Sequence, residues 1–97
     1  GNVLKYIVLG KWTDQGRKTL DEASERIKSI KSLVEELNGS LSLYYTFGEY
    51  DLVAIIQLPD EDSMARVLIK INSMQSVTTK TLRAWTDTEF INMVSEL

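Results

Sequence analysis

Gly48, Tyr50 and Asp51 are the first residues whose types and spacing suggest chemistry. Glycine at 48 supplies the positive φ of a tight turn, and the Asp51 carboxylate three residues later can accept hairpin amides or pair with a cation. The leading expectation is a register-setting turn. The alternatives are an ion pair from Asp51 to Arg83, expected at the same sheet end as the hairpin, or a place for Asp51 at a dimer seam. Lys11, Trp12, Asp14 and Arg17 form a second group, expected at the opposite end, where cations beside a helix N-terminus can hold a small anion. A solvated loop with a packing tryptophan is the plainer reading. Tyr44, Tyr45 and Trp85 can line an apolar pocket between subunits, although aromatic strand residues more often pack in a core. No metal site is expected: Asp60-Glu61-Asp62, the acidic cluster, falls in a first helical turn where acids complement the helix dipole. No cofactor is expected either, since Gly10 and Gly16 do not make a phosphate loop or a dinucleotide fingerprint.

The 97 residues contain no cysteine and no histidine, which removes disulfides, thiolate nucleophiles and the commonest general base. Fourteen acidic against eleven basic residues give a net charge of -3, the wrong sign for a module that gains affinity by neutralising phosphates. Nucleic acid is therefore not an expected partner. The longest uninterrupted apolar run, from Leu52 to Ile56, is far shorter than the ~20 residues of a spanning helix. With no basic segment leading into an apolar core near the N-terminus, a cytoplasmic location without membrane contact is expected. Neither a linker nor a low-complexity tract interrupts the chain, so residues 1–97 read as one domain, continuous from about Val3 to Leu97.

The elements that must position these residues follow from periodicity. Val3 to Trp12 reads as a strand ending in a turn at Thr13-Asp14-Gln15-Gly16. Leu20, Ala23, Ile27, Ile30, Val34 and Leu37 recur at helical spacing, and Asn38-Gly39 ends that helix, with glycine expected to take the left-handed conformation. Its other face pairs Glu22 with Arg26 and Lys31 with Glu35 at i, i+4, a solvated surface. Leu41 to Phe47 and Tyr50 to Leu58 read as an antiparallel hairpin around a two-residue turn, Gly48-Glu49. Asp60 caps a second helix with the stripe Met64, Val67 or Leu68, Ile71 and Met74, and the methionines read as core filler. Val77 to Trp85 is a fourth strand, and the capping box Thr86-Asp87-Thr88-Glu89 opens a short third helix.

The order β-α-β-β-α-β predicts an α+β ferredoxin-like fold: a four-stranded antiparallel sheet in the order 4-1-3-2, with both main helices on one face and a short C-terminal helix. The third strand is apolar at both parities, and the first offers Leu4, Tyr6 and Val8 to one side and Ile7 and Leu9 to the other. Both faces need cover, so the sheet is expected to pack against a second copy in a dimeric α/β barrel. A monomer whose C-terminal helix folds across the sheet is the simpler rival.

Thr46-Phe47-Gly48-Glu49-Tyr50-Asp51-Leu52-Val53-Ala54, followed by Thr79-Lys80-Thr81-Leu82-Arg83-Ala84-Trp85-Thr86 and preceded by Val8-Leu9-Gly10-Lys11-Trp12-Thr13-Asp14-Gln15-Gly16, resembles the GYD domain family over nearly the whole chain. That resemblance implies a fold and little chemistry. The same hairpin and fourth strand are similar, more loosely, to the effector-binding half of Lrp/AsnC-type regulators. The second likeness implies a dimer that can assemble further and, in some members, binds amino acids near subunit contacts. The helix-turn-helix half that gives those regulators DNA contact is not in this sequence. Where the GYD pattern usually has glycine before the fourth strand, this chain has Gln75, which bears on the local turn.

The function these readings support is a small dimeric binding or regulatory module that takes a small ligand near the subunit interface. Its ligand or interface candidates are Lys11, Trp12, Arg17, Tyr45, Gly48, Tyr50, Asp51, Arg83 and Trp85. The alternative is a cofactor-free oxygenase- or isomerase-like enzyme on the same barrel, a reading that rests on fold analogy. Its discriminating feature is an ionisable group facing a pocket, for which Lys11, Asp51 and Arg83 are the candidates.

Overall fold

Strand β1 (Leu4–Trp12) is built from alternating side chains, of which Leu4, Tyr6 and Val8 turn to one face. The computed structural model describes residues 3–97. Thr13 then caps a short helix, α1 (Asp14–Lys18), by accepting the Gly16 amide at 3.0 Å. The expected turn here is thus one helical turn, and a 3₁₀ turn (Leu20–Glu22) links it to α2 (Ala23–Glu36). Leu20 falls in that 3₁₀ turn and is exposed, while Ile30 and Val34 carry the buried stripe. Asn38 (φ 62) takes the left-handed conformation after α2, and Gly39 does not. Asparagine tolerates that region because its side chain is short and polar.

The remaining elements are β2 (Ser40–Tyr45), β3 (Leu52–Leu58), α3 (Glu61–Ser73), β4 (Val77–Ala84) and α4 (Asp87–Ser95). The sheet order is β2-β3-β1-β4, and every neighbouring pair is antiparallel, as the ferredoxin-like pattern predicts. Asp60 caps α3 by accepting the Ser63 amide at 2.7 Å. Met64, Val67 and Ile71 of α3 meet Ile30 and Val34 of α2 over Tyr6, Val8, Ala54, Ile56 and Leu58 of the sheet. Each large side chain buried there contributes roughly 1.5–3 kcal/mol. Met64 and partly Met74 fill this core, whereas Met93, on α4, is exposed.

The hairpin keeps its expected register but opens two pairs early. The ladder stops at Tyr45 opposite Leu52, and a last bond runs from the Thr46 amide to the Asp51 carbonyl at 2.8 Å. Phe47 to Tyr50 form the loop, with Gly48 at φ 117. Asp51 explains the opening: its own amide donates across to the Gly10 carbonyl at 2.8 Å, drawing the chain toward β1 and away from β2. Gln75 sits at φ 57 before β4, the region that the usual glycine would occupy freely. Left-handed backbone costs a side-chain-bearing residue about 1–2 kcal/mol, partly offset by the greater unfolded-state freedom of glycine. Gln75→Gly is therefore expected to raise stability by up to about 1 kcal/mol, measured by urea denaturation.

The face of the sheet away from α2 and α3 has no helix over it. Leu82, Ile7 and Ile55 form one apolar row across three strands, and Leu9, Val53 and Tyr44 form a second. Leu82 and Tyr44 are 48% and 58% exposed. Every residue of α4 is exposed, including Phe90, Ile91, Met93 and Val94, so the C-terminal helix does not fold across this surface.

Candidate functional site

Because β1 runs antiparallel to both β3 and β4, those two strands begin at the same end, where β1 finishes. That end gathers Lys11, Trp12 and Arg17 with Tyr45, Gly48, Tyr50 and Asp51. Arg83 and Trp85, at the far end of β4, lie opposite. The expected Asp51–Arg83 pairing is thus excluded by topology, since Gly10 is paired with Leu52 and Tyr6 with Arg83.

Asp51 is half-buried, and its Oδ2 accepts the Trp12 amide at 2.9 Å. The carboxylate thereby stands in for a strand carbonyl and extends the β1–β3 pairing past the last ladder position. Arg17 Nη1 donates to the Trp12 carbonyl at 3.0 Å, and its Nη2 pairs with Asp14. Both peptide groups of Trp12 are in this way held by charged side chains. The Trp12 ring stacks on Tyr45 with centroids 6.2 Å apart and planes 22° from parallel. Lys11 lies 5.4 Å from the centroid of Tyr50 and 4.0 Å from the Glu49 carboxylate, an exposed pair of small energetic weight. The Thr46 hydroxyl donates to the Tyr50 carbonyl at 2.7 Å and closes the loop.

Asp51 accordingly acts on the backbone. Asp51→Ala, which strands a part-buried amide, is expected to cost about 1.5–3 kcal/mol, and Asp51→Asn, which keeps an acceptor, clearly less. Chemical denaturation of the two variants checks the order.

At the other end the Arg83 guanidinium lies 4.5 Å over Trp85 and 5.7 Å from the Tyr6 ring. Its Nη1 donates to the Lys5 carbonyl at 3.2 Å and to the Ala84 carbonyl. Just beyond, the Thr86 amide and hydroxyl hold Glu89 in a complete capping box and lower its carboxyl below the ordinary value, with a weaker contribution from Lys5 and Arg83. A lowered carboxyl favours the fold above its unfolded value near 4.5, and the benefit disappears as pH falls through the lower folded value. Asp60 behaves alike at the start of α3, lowered by its bonds from Ser63. Helix content followed by far-ultraviolet circular dichroism is expected to hold at neutral pH and to decline below about pH 4.5.

Between the sheet and α2 lies an almost wholly apolar cavity of about 50 Å³. Trp12 and Tyr45 reach it from the hairpin end, but Lys11, Asp51 and Arg83 do not line it. The charged residue that does is Arg26, read from its spacing as a solvated partner of Glu22. Among the described residues no cluster of acids is arranged to hold a metal ion, and no helix is long and apolar enough to cross a membrane.

The model of the GYD domain matches residues 6–94. The chain belongs to the GYD domain family. It is 36% identical over 81 residues to a protein of Thermus thermophilus named as a glutamine synthetase and cystathionine beta-lyase binding protein, an alignment covering 81% of this chain and 85% of the relative. Among solved structures, one from Thermus thermophilus superposes with a TM-score of 0.54 at 26% identity, covering 86% of this chain and 94% of that one. An Arabidopsis thaliana protein superposes with a TM-score of 0.65 at 11% identity over the same shares, a likeness of fold alone. In this GYD domain the signature Gly48-Glu49-Tyr50-Asp51 is a hairpin loop clasped to β1 through Asp51. Tyr45 turns to the helix side of the sheet, where it reaches the cavity, and Tyr44 to the open face.

Proposed function

We propose that this GYD domain is a dimeric binding module that docks onto a metabolic enzyme. The apolar double row on the open face of the sheet, which the chain itself leaves uncovered, carries the reading. Its rim is cationic, with Lys5, Lys11 and Lys80 at the same parity as Ile7, Leu9 and Leu82. The uncovered α4 is its complement, pairing Phe90, Ile91, Met93 and Val94 with the acids Asp87 and Glu89 and followed by Glu96. A second copy supplies both the apolar contact and the opposite charge, with each α4 laid along the rim of the other subunit's sheet. An apolar centre with a polar rim is the anatomy of a specific protein interface.

The docking half of the proposal is supported by the Thermus relative, whose name records binding to glutamine synthetase and cystathionine beta-lyase. Enzymes of those two kinds are the first partners to test. Titrating the chain into each purified enzyme from the same organism in a calorimeter is expected to give saturable, stoichiometric binding to at least one. No heat and no co-elution on gel filtration with either enzyme at tens of micromolar would overturn the docking assignment.

A further inference from the structure

We infer that the outer edge of β2 is where the partner enzyme docks, by adding an extended segment of its own chain to the sheet. The inference rests on the docking reading above and names its contact surface.

In the order β2-β3-β1-β4, β2 and β4 are the two edges of the sheet. The Thr46 amide points inward, to the Asp51 carbonyl, in the same register that pairs Ser40 with Gln57 and Leu41 with Ile56. Peptide groups of an antiparallel strand turn alternately to its two sides, so those of Leu41, Leu43 and Tyr45 point out of the sheet. Among the described residues no other backbone group hydrogen-bonds to them. Folded proteins blunt such an edge with charge, proline or a bulge. Ser40-Leu41-Ser42-Leu43-Tyr44-Tyr45 has none of the three, whereas β4 carries Lys80 and Arg83. The row of outward donors and acceptors fixes the kind of occupant, because another extended backbone is what satisfies them at alternate residues.

Leu41 and Leu43 are half-buried against the core on the helix side, and Tyr45 shares their parity. A segment bonded to all three lays its own alternate side chains beside them, so small uncharged residues at every second position fit. Phe47, 102% exposed, stands just past the end of the same edge, in the loop that Asp51 and Thr46 hold in place. A fixed and fully exposed aromatic side chain is suited to anchor a partner. The open face is assigned to the second copy. Pairing β2 with the β2 of a further copy would join dimers into larger species, which leaves the enzyme as the occupant of the edge.

The test is hydrogen exchange of the full chain, read residue by residue by mass spectrometry, free and saturated with each of the two enzymes to be titrated above. Docking is expected to slow exchange at the Leu41, Leu43 and Tyr45 amides at least tenfold and to leave the outward amides of β4 unchanged. Phe47→Ser is expected to weaken docking at least fivefold, with the circular dichroism spectrum unchanged. Docking that leaves the three amides unprotected, or that Phe47→Ser does not weaken, would overturn the inference and leave the docking reading standing. Failure of both enzymes to dock would overturn the two together. Protection of the three amides already in the free chain, in a species heavier than the dimer, would give the edge to a further copy and overturn the inference as well.

Discussion

Ile55→Glu is expected to yield a folded monomer at concentrations where the proposed dimer of the wild-type chain would form. Ile55 sits at the centre of the open face, with Ile7 opposite it on β1 and Ser42 on β2. In an isolated chain the new carboxylate stays in water, so the helix-side core of Tyr6, Val8, Ile56 and Val67 is untouched. Against a second copy it would have to be desolvated without a partner, twice per dimer. A penalty of about 3 kcal/mol alone weakens association about a hundredfold. Light scattering should therefore return a mass close to the 11.0 kDa chain, with the melting profile still cooperative. A variant that remains dimeric would place the interface elsewhere.

Gly16→Ala is expected to be the most damaging single methyl in the chain. Gly16 is buried, and a Cβ added there would lie 2.0 Å from the Ser76 carbonyl oxygen and 2.9 Å from its carbon. Both atoms are backbone, so no rotamer change relieves the clash. Either α1 lifts away or β4 shifts. Lifting α1 also strains the bonds from the Thr13 amide to the Ser76 carbonyl, 3.0 Å, and from the Thr13 hydroxyl to the Gln75 carbonyl, 2.7 Å. The gain in helix propensity from alanine is about 1 kcal/mol, smaller than the roughly 3 kcal/mol that a clash of this kind costs. The net loss of about 2 kcal/mol corresponds to a fall of roughly 8–16 °C in melting temperature for a domain of this size. A change of less than about 3 °C by calorimetry would show that the α1–β4 contact is loose.

The fold was legible because the apolar pattern states it twice. Helical spacing in Ile27, Ile30 and Val34 and alternation in Tyr6, Val8 and Ala54, Ile56 each name the inward side, and the structure packs them together, with Ile27 partly buried at the margin. The doubly apolar β3 likewise announced a sheet with two faces to cover. The sheet end of each candidate was harder to read, since it depends on strand direction. With β1 central and antiparallel to both neighbours, Asp51 joins Trp12, and Arg83 is carried to the other end, where it lies on Trp85. Arg26 was missed for a different reason. Its i, i+4 spacing from Glu22 says only that the two can meet, and a long side chain one turn into α2 instead reaches back to Thr19, whose carbonyl and hydroxyl both accept from it. The short helix after Thr13 was hidden because Asp14-Gln15-Gly16 has turn composition, and what makes it helical is the Thr13 cap together with the tight seat of Gly16 on Ser76.

Sedimentation equilibrium of the wild-type chain over a dilution series from about 100 to 1 μM tests the central claim, that the open face of the sheet is closed by a second copy. A single species at twice 11.0 kDa, dissociating if at all only toward the dilute end, is the predicted result. A mass of 11.0 kDa throughout would contradict it.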